Sequence, residues 1–110
     1  MSSSTPELLP GTLFLLVLRS LSAGPLHGYA IARRIKESSG DLLTVEEGSL
    51  YPALNRMLVK GWVKAAWGLS ESNRKARFYT LTRLGRKQLE QEDIEFRRMV
   101  RAIELVLDNA

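Results

Sequence analysis

A chain of 110 residues has room for one domain with a modest hydrophobic core, and the absence of cysteine excludes disulfides and thiolate metal sites. The net charge of +4 hides an asymmetry: residues 48–87 hold nine Lys and Arg against Glu71 alone, +8, while the rest of the chain holds seven positive and eleven negative charges, −4. Charge gathered in one stretch suits a polyanion, although a merely solvated basic face would have the same composition. The apolar run Leu8 to Leu21 contains Arg19 and is too short to span a bilayer, and no Lys or Arg precedes it as in a secretory signal. A soluble, cytoplasmic protein with no membrane partner is therefore expected.

Residues 1–7 (MSSSTPE) are polar and predict a disordered tail. A first helix is predicted from Thr12 to Ser22, capped by Thr12 or started by Pro10. Its run LFLLVL is apolar on nearly every side, which calls for burial between two layers. Ala23-Gly24-Pro25 breaks the chain before a second helix over His27 to Ser39, with Tyr29, Ile31, Ala32 and Ile35 apolar and Arg33, Arg34, Lys36 and Glu37 facing water. His27, the one histidine, caps or starts that helix more readily than it binds metal, because one ligand makes no site. A short strand is expected around Leu43–Val45.

The stretch GSLYPALNRMLVKG, Gly48 to Gly61, reads as a short helix opened by Ser49, with Pro52 early enough to cost little. Leu50, Leu54, Met57 and Leu58 form one apolar stripe, and Gly61 ends the helix. The opposite face carries Ser49, Asn55, Arg56, Val59 and Lys60, of which Ser and Asn can bond base edges while Arg and Lys reach bases or phosphates. Trp62 to Trp67 and Lys75 to Leu81 then read as two strands of an antiparallel hairpin, joined by a flexible tip of about eight residues. Its tip, Asn73-Arg74-Lys75 with Arg77 behind, is the densest positive charge. From the N-cap Thr82 a long helix runs to about Asp108, with Gly85 as a mild interruption in its first turn. Leu89, Phe96, Val100, Ile103 and Leu107 make a heptad seam with Asp93 in one slot, widened by Met99 and Val106. A second copy of the chain would cover that seam, through Phe96, Val100, Ile103 and Leu107 with Phe14, Leu15 and Leu18 of the first helix.

This order of elements predicts a mainly α (α+β) fold: a winged helix-turn-helix over residues 8–81 and a dimerisation helix over 82–110. A helix over residues 48–60 would enter the major groove, and the basic wing, residues 68–77, would reach phosphates or the minor groove. Candidate DNA contacts are Tyr29, Ser49, Tyr51, Asn55, Arg56, Arg74, Lys75 and Arg77. Each has a plainer alternative. Tyr51 can pack on the wing, Tyr29 can fill the core, and exposed Ser49 and Asn55 are ordinary on any helix. Arg74 and Lys75 are the firmest phosphate contacts, because no acid adjoins them. Trp62 and Trp67 read as structural or as lining a ligand cavity, and Glu90, Glu92, Asp93 and Glu95 as a solvated face.

The sequence also resembles the PadR-like transcriptional regulators, through LxxGTLxLLVLRSL (Leu8 to Leu21), GPLHGYAIARRI (Gly24 to Ile35), EEGSLYPALNRMLVKGWV (Glu46 to Val63) and RKARFYTLTRLGRKQL (Arg74 to Leu89). The single C-terminal helix looks like the compact subfamily. The resemblance implies a homodimeric repressor on an inverted-repeat operator, often relieved by a small-molecule effector, with no cofactor. One departure bears on the effector: some compact members carry a Trp in the dimerising helix to stack on flat aromatic drugs, and here the aromatic is Phe96. The competing reading is an assembly or adaptor module acting through the long helix. An enzyme is disfavoured by the single His, the lack of Cys and of a Gly-rich phosphate loop, and the absence of any convergent acid–base pair.

Overall fold

The computed structural model describes residues 11–109, so the expected tail at residues 1–7 and the helix start at Pro10 lie outside the described residues. Four helices and three short strands follow one another: α1 Thr12–Ser20, β1 Leu26–His27, α2 Gly28–Ser38, α3 Glu47–Val59, β2 Val63–Leu69, β3 Lys75–Leu81 and α4 Arg83–Asp108. The strands form one antiparallel sheet in the order β1-β3-β2. The fold is the α+β winged helix-turn-helix that the order of motifs predicts, with departures that have local causes.

Helix α1 is capped by Gly11 in the left-handed region (φ 88°) without a side-chain bond, and Thr12 is its first residue rather than its cap. It stops at Ser20, short of Ser22. Val17, Leu18 and Leu21 are fully buried, with Leu13, Phe14 and Leu16 packed around them. Leu18, expected at a subunit interface, therefore belongs to the core of its own chain. The helix lies against α2, α3 and α4, which explains why it is apolar on so many sides.

Helix α2 starts one residue later than predicted because Leu26 and His27 pair with Tyr79 and Phe78 as strand β1. His27 is the N-cap: its Nδ1 accepts the Ala30 N–H at 3.2 Å. No strand forms at Leu43–Val45, and the sheet stops at three strands in the order β1-β3-β2. Val45 instead buries itself in the core, and the Ser39 hydroxyl accepts the Leu43 N–H at 3.0 Å.

Helix α3 begins at Glu47 with Glu46 as N-cap and no side-chain cap bond, so Ser49 lies inside the first turn instead of capping it. Pro52 is consequently interior, and the Gly48 carbonyl loses its helical donor. The buried stripe is Leu50, Ala53, Leu54 and Met57, with Leu58 half-buried at its margin. Gly61 (φ 77°) closes the helix: its N–H reaches the Leu58 carbonyl at 3.1 Å, and the Trp62 N–H reaches Met57 at 3.0 Å. An alanine there would be strained, and the chain would not turn directly into β2.

The hairpin extends further than its sequence suggests, pairing Val63↔Leu81 through Leu69↔Lys75, so the tip is only residues 70–74. Helix α4 starts at its expected cap: Thr82 Oγ1 accepts the Gly85 N–H at 3.0 Å. Its 26 residues span about 39 Å, much of it projecting from the core. Among the described residues no helix is long and apolar enough to cross a membrane.

Candidate nucleic-acid interface

A concave surface of about 640 Å³ lies between the start of α2, Tyr51 near the start of α3 and the wing formed by β2 and β3. Strand alternation decides what the wing presents to it. Val63, Ala65, Trp67 and Leu69 share one face of β2, opposite Leu81, Tyr79, Arg77 and Lys75 on β3. Near the core this face is buried through Val63, Tyr79 and Leu81, but the hairpin outruns the core and exposes the remainder. Trp67 is thus 66% exposed, with the Lys75 ammonium 5.2 Å from its ring and Arg77 directly across the strand pair. Arg77 leans over the Tyr79 ring at 5.8 Å. Arg74 completes the cationic side of the concavity.

From α2, Gly28, Tyr29 and Arg33 line the opposite wall. Tyr29 is exposed, lies parallel to the His27 ring at a centroid distance of 6.5 Å, and carries the Arg33 guanidinium 5.6 Å from its centroid. It does not fill the core. Tyr51 enters from α3 across Gly28, where a β-carbon would stand 2.7 Å from its Cζ and 2.8 Å from its Cε1. Only glycine lets the tyrosine cross the α2 N-terminus. Burial, then the nearby Glu47 carboxylate and Tyr79, raise the Tyr51 pKa above its ordinary value. Like any tyrosine near pH 7, it offers a neutral hydroxyl as a donor to an acceptor oxygen.

The predicted contacts divide. Tyr29, Tyr51, Arg74, Lys75 and Arg77 share the concave surface. Ser49 and Asn55 stand on the exposed ridge of α3 beside it, and neither side chain is hydrogen-bonded within the described residues. Arg56 turns toward α1, with its guanidinium 5.6 Å from the Phe14 ring, and Lys60 lies 5.2 Å from Trp62. Phe14 meets Trp62 edge-on at 5.7 Å, so this aromatic pair seats both cations at the far end of α3.

Sequence reading missed four members of the surface: Trp67 as an exposed side chain, Arg33, Glu71, and His27, which was read only as a helix cap. Arg33 follows Tyr29 by four residues, which places both on one helix face, and that spacing was the available signal. Glu71 corrects the expectation of a flexible, acid-free tip. The Ser70 N–H bonds the Arg74 carbonyl and the Asn73 N–H bonds the Ser70 carbonyl, both at 2.9 Å, with Asn73 left-handed at φ 61°. On this closed turn, Glu71 accepts from His27 Nε2 at 3.4 Å and from the Arg33 guanidinium at 3.2 Å. Because His27 Nδ1 already accepts from Ala30, Nε2 carries the proton that points at the carboxylate. The Glu71 carboxyl is held below its ordinary pKa, first by its own backbone N–H and then by His27 and Arg33.

A second groove, about 560 Å³, runs between α1 and α4 and is lined by Leu15, Leu16, Leu89, Phe96 and Val100 with charged residues at its rim. Beyond it Met99, Ile103, Val106 and Leu107 are exposed on α4, as are Ile94 and Leu105. Asp93 pairs with Arg97 at 2.6 Å along the helix.

Residues 17–91 match the Transcriptional regulator PadR-like family. A Streptomyces fradiae protein, an uncharacterized 37.1 kDa protein in transposon TN4556, is 46% identical over 78 residues, which are 71% of this chain; the chain spans about a fifth (21%) of that protein's length. The structure of a PadR family transcription regulator from Clostridium difficile superposes with a TM-score of 0.76 at 27% identity, covering 88% of this chain and 99% of that one. Bacillus subtilis PadR in complex with operator DNA matches with a TM-score of 0.67 at 26% identity, over 76% of this chain and 47% of that one. By the matched residues and by its winged helix-turn-helix, this chain belongs to the PadR-like family of transcriptional regulators.

Proposed function

We propose that the protein represses transcription as a homodimer that binds an inverted-repeat operator, with residues 8–81 contacting DNA and residues 82–110 holding two copies together. The observation that carries this reading is the concave surface: Arg74, Lys75, Arg77 and Arg33 converge with two tyrosine hydroxyls beside an exposed polar ridge on α3. A helix ridge fits the major groove, while cations and neutral hydroxyls suit the flanking phosphates. That Bacillus subtilis PadR forms a complex with operator DNA supports DNA as the partner. What supports dimerisation is α4, whose exposed Ile103 and Leu107 extend the apolar line of Phe96 and Val100 beyond the α1–α4 groove. A stripe of this kind on a projecting helix calls for a partner, and a second copy supplies an identical stripe. A small effector would occupy the same groove, beside Phe96.

Ser49 and Asn55 read bases, whereas Arg74 and Lys75 hold phosphates. Fluorescence anisotropy on an operator duplex and a random duplex across a salt series separates these roles. Arg74→Ala with Lys75→Ala should weaken both duplexes alike and lower the slope of log affinity against log salt by about one per lost phosphate contact and subunit. Asn55→Ala should spare that slope and cost roughly 1–3 kcal/mol per half-site on the operator alone. Equal weakening of both duplexes by Asn55→Ala would reverse the assignment. An adaptor acting through α4 would show no steep loss of DNA affinity with salt.

A further inference from the structure

We propose that Arg33 and His27 form a phosphodiester subsite that the Glu71 carboxylate occupies in the free protein and vacates when DNA binds. The inference rests on the DNA-binding reading above and adds to it a pair of residues and a competing internal anion.

Three observations carry it. Glu71 is the one acid among the nine cations of residues 48–87, yet it bonds none of them and reaches across to α2 instead. It presents one carboxylate oxygen to each donor, Oε1 to His27 and Oε2 to Arg33, as two oxygens of a phosphodiester would. The contact is also easily exchanged: Glu71 is 73% exposed, and exposed ion pairs are weak and readily screened. The wing tip does not need the pair for its shape, since the Ser70–Asn73 and Ser70–Arg74 backbone bonds close the turn by themselves. Arg33 and His27 remain poised without Glu71 as well. The guanidinium rests on the Tyr29 ring, and the imidazole is fixed by its cap bond to Ala30.

The two donors lie on the α2 wall of the concavity whose other wall is Lys75 and Arg77. A backbone strand seated there would meet cations on both sides. Its phosphate would repel the Glu71 carboxylate and take over its two donors, releasing the wing tip from α2. The internal pair therefore lowers affinity for every duplex equally, because a phosphate looks the same at every sequence.

Random-duplex affinity is measured by anisotropy at one moderate salt concentration for the full chain and for Glu71→Gln, Arg33→Gln and the double variant, with thermal melts confirming that each folds. Glu71→Gln should tighten binding roughly two- to fivefold, the scale set by breaking an exposed ion pair. Arg33→Gln should weaken binding and lower the salt slope by about one per subunit. In the Arg33→Gln background the gain from Glu71→Gln should largely vanish. An undiminished gain there would mean simple charge repulsion, and weaker binding by Glu71→Gln would mean that the pair positions the wing for DNA; either result overturns the subsite. Absence of salt-dependent DNA binding by the unmodified protein would sink the DNA reading itself, and it is read without any variant.

Discussion

Replacing Gly85 with alanine sets two effects of opposite sign against each other. Gly85 lies in the first turn of α4, where alanine would raise helix propensity by about 1 kcal/mol. Its added methyl, however, would overlap the Trp62 carbonyl oxygen and stand 2.9 Å from that carbonyl carbon and 3.0 Å from Leu81 Cδ2. Backbone cannot swing aside as a side-chain tip can. The Trp62 carbonyl is further held by the Thr82 N–H at 3.0 Å, while Thr82 Oγ1 lies 2.6 Å from the Gly61 carbonyl and caps the Gly85 N–H. Making room for the methyl moves α4 off the end of the hairpin and stretches this junction. Overpacking of about 1–3 kcal/mol plus a weakened cap of about 1 kcal/mol exceeds the propensity gain, for a net loss of about 1–3 kcal/mol. The thermal midpoint should fall by roughly 4–8 °C per kcal/mol. Gly48→Ala is the matched control, since it is helical and exposed with nothing within 4 Å, and should gain up to about 1 kcal/mol. Urea unfolding followed by circular dichroism, at one fixed protein concentration, measures both. A Gly85→Ala protein as stable as the unmodified chain would refute the packing argument.

Three other outcomes follow from the structure. On the proposed homodimer, Val100→Asp with Ile103→Asp, both exposed on α4 in the single chain, should abolish self-association and operator binding together, because the charges would have to be desolvated in the proposed seam; a compact, soluble monomer of the unmodified protein at micromolar concentration, by sedimentation, would contradict this. Gly28→Ala should drive Tyr51 out of the concave surface and weaken DNA binding while leaving stability nearly intact, since the half-exposed ring has room to swing outward; binding and melting curves read the two effects separately. The Tyr51 pKa is raised on folding, so its contribution to stability is fully present below the ordinary value of 10.0 and is lost as pH rises through the folded value. Stability against pH should therefore fall more steeply at alkaline pH for the unmodified protein than for Tyr51→Phe.

Much of the fold was legible because its signals are local. Gly61 ends α3, Thr82 caps α4 and the apolar stripe of α3 faces the core, each readable from spacing and side-chain chemistry. The boundaries that failed were those settled by a neighbour. Leu26 and His27 carry no strand pattern, and they extend only because β3 offers them an edge. Leu43–Val45 carries one, but Val45 is drawn into the helical core and the stretch joins no sheet. The candidate site divides in the same way. Basic residues at the wing were evident from charge, while the exposure of Trp67 depends on how far the hairpin runs past the core.

By itself the sequence determined the four helices and the hairpin, the family motifs, the basic wing and the apolar seam of α4, because composition, periodicity and caps act over a few residues. Three things were decided only in the folded chain, where residues far apart in sequence meet. Leu18 went to the core because α1 is enclosed by three other helices. Gly85, which reads as a weak point in a helix, is where α4 comes against the Trp62 carbonyl, a close approach that no side chain permits. Glu71 reads as a stray acid in a basic loop, and it became the partner of His27 and Arg33 because the hairpin carries its tip back over the start of α2.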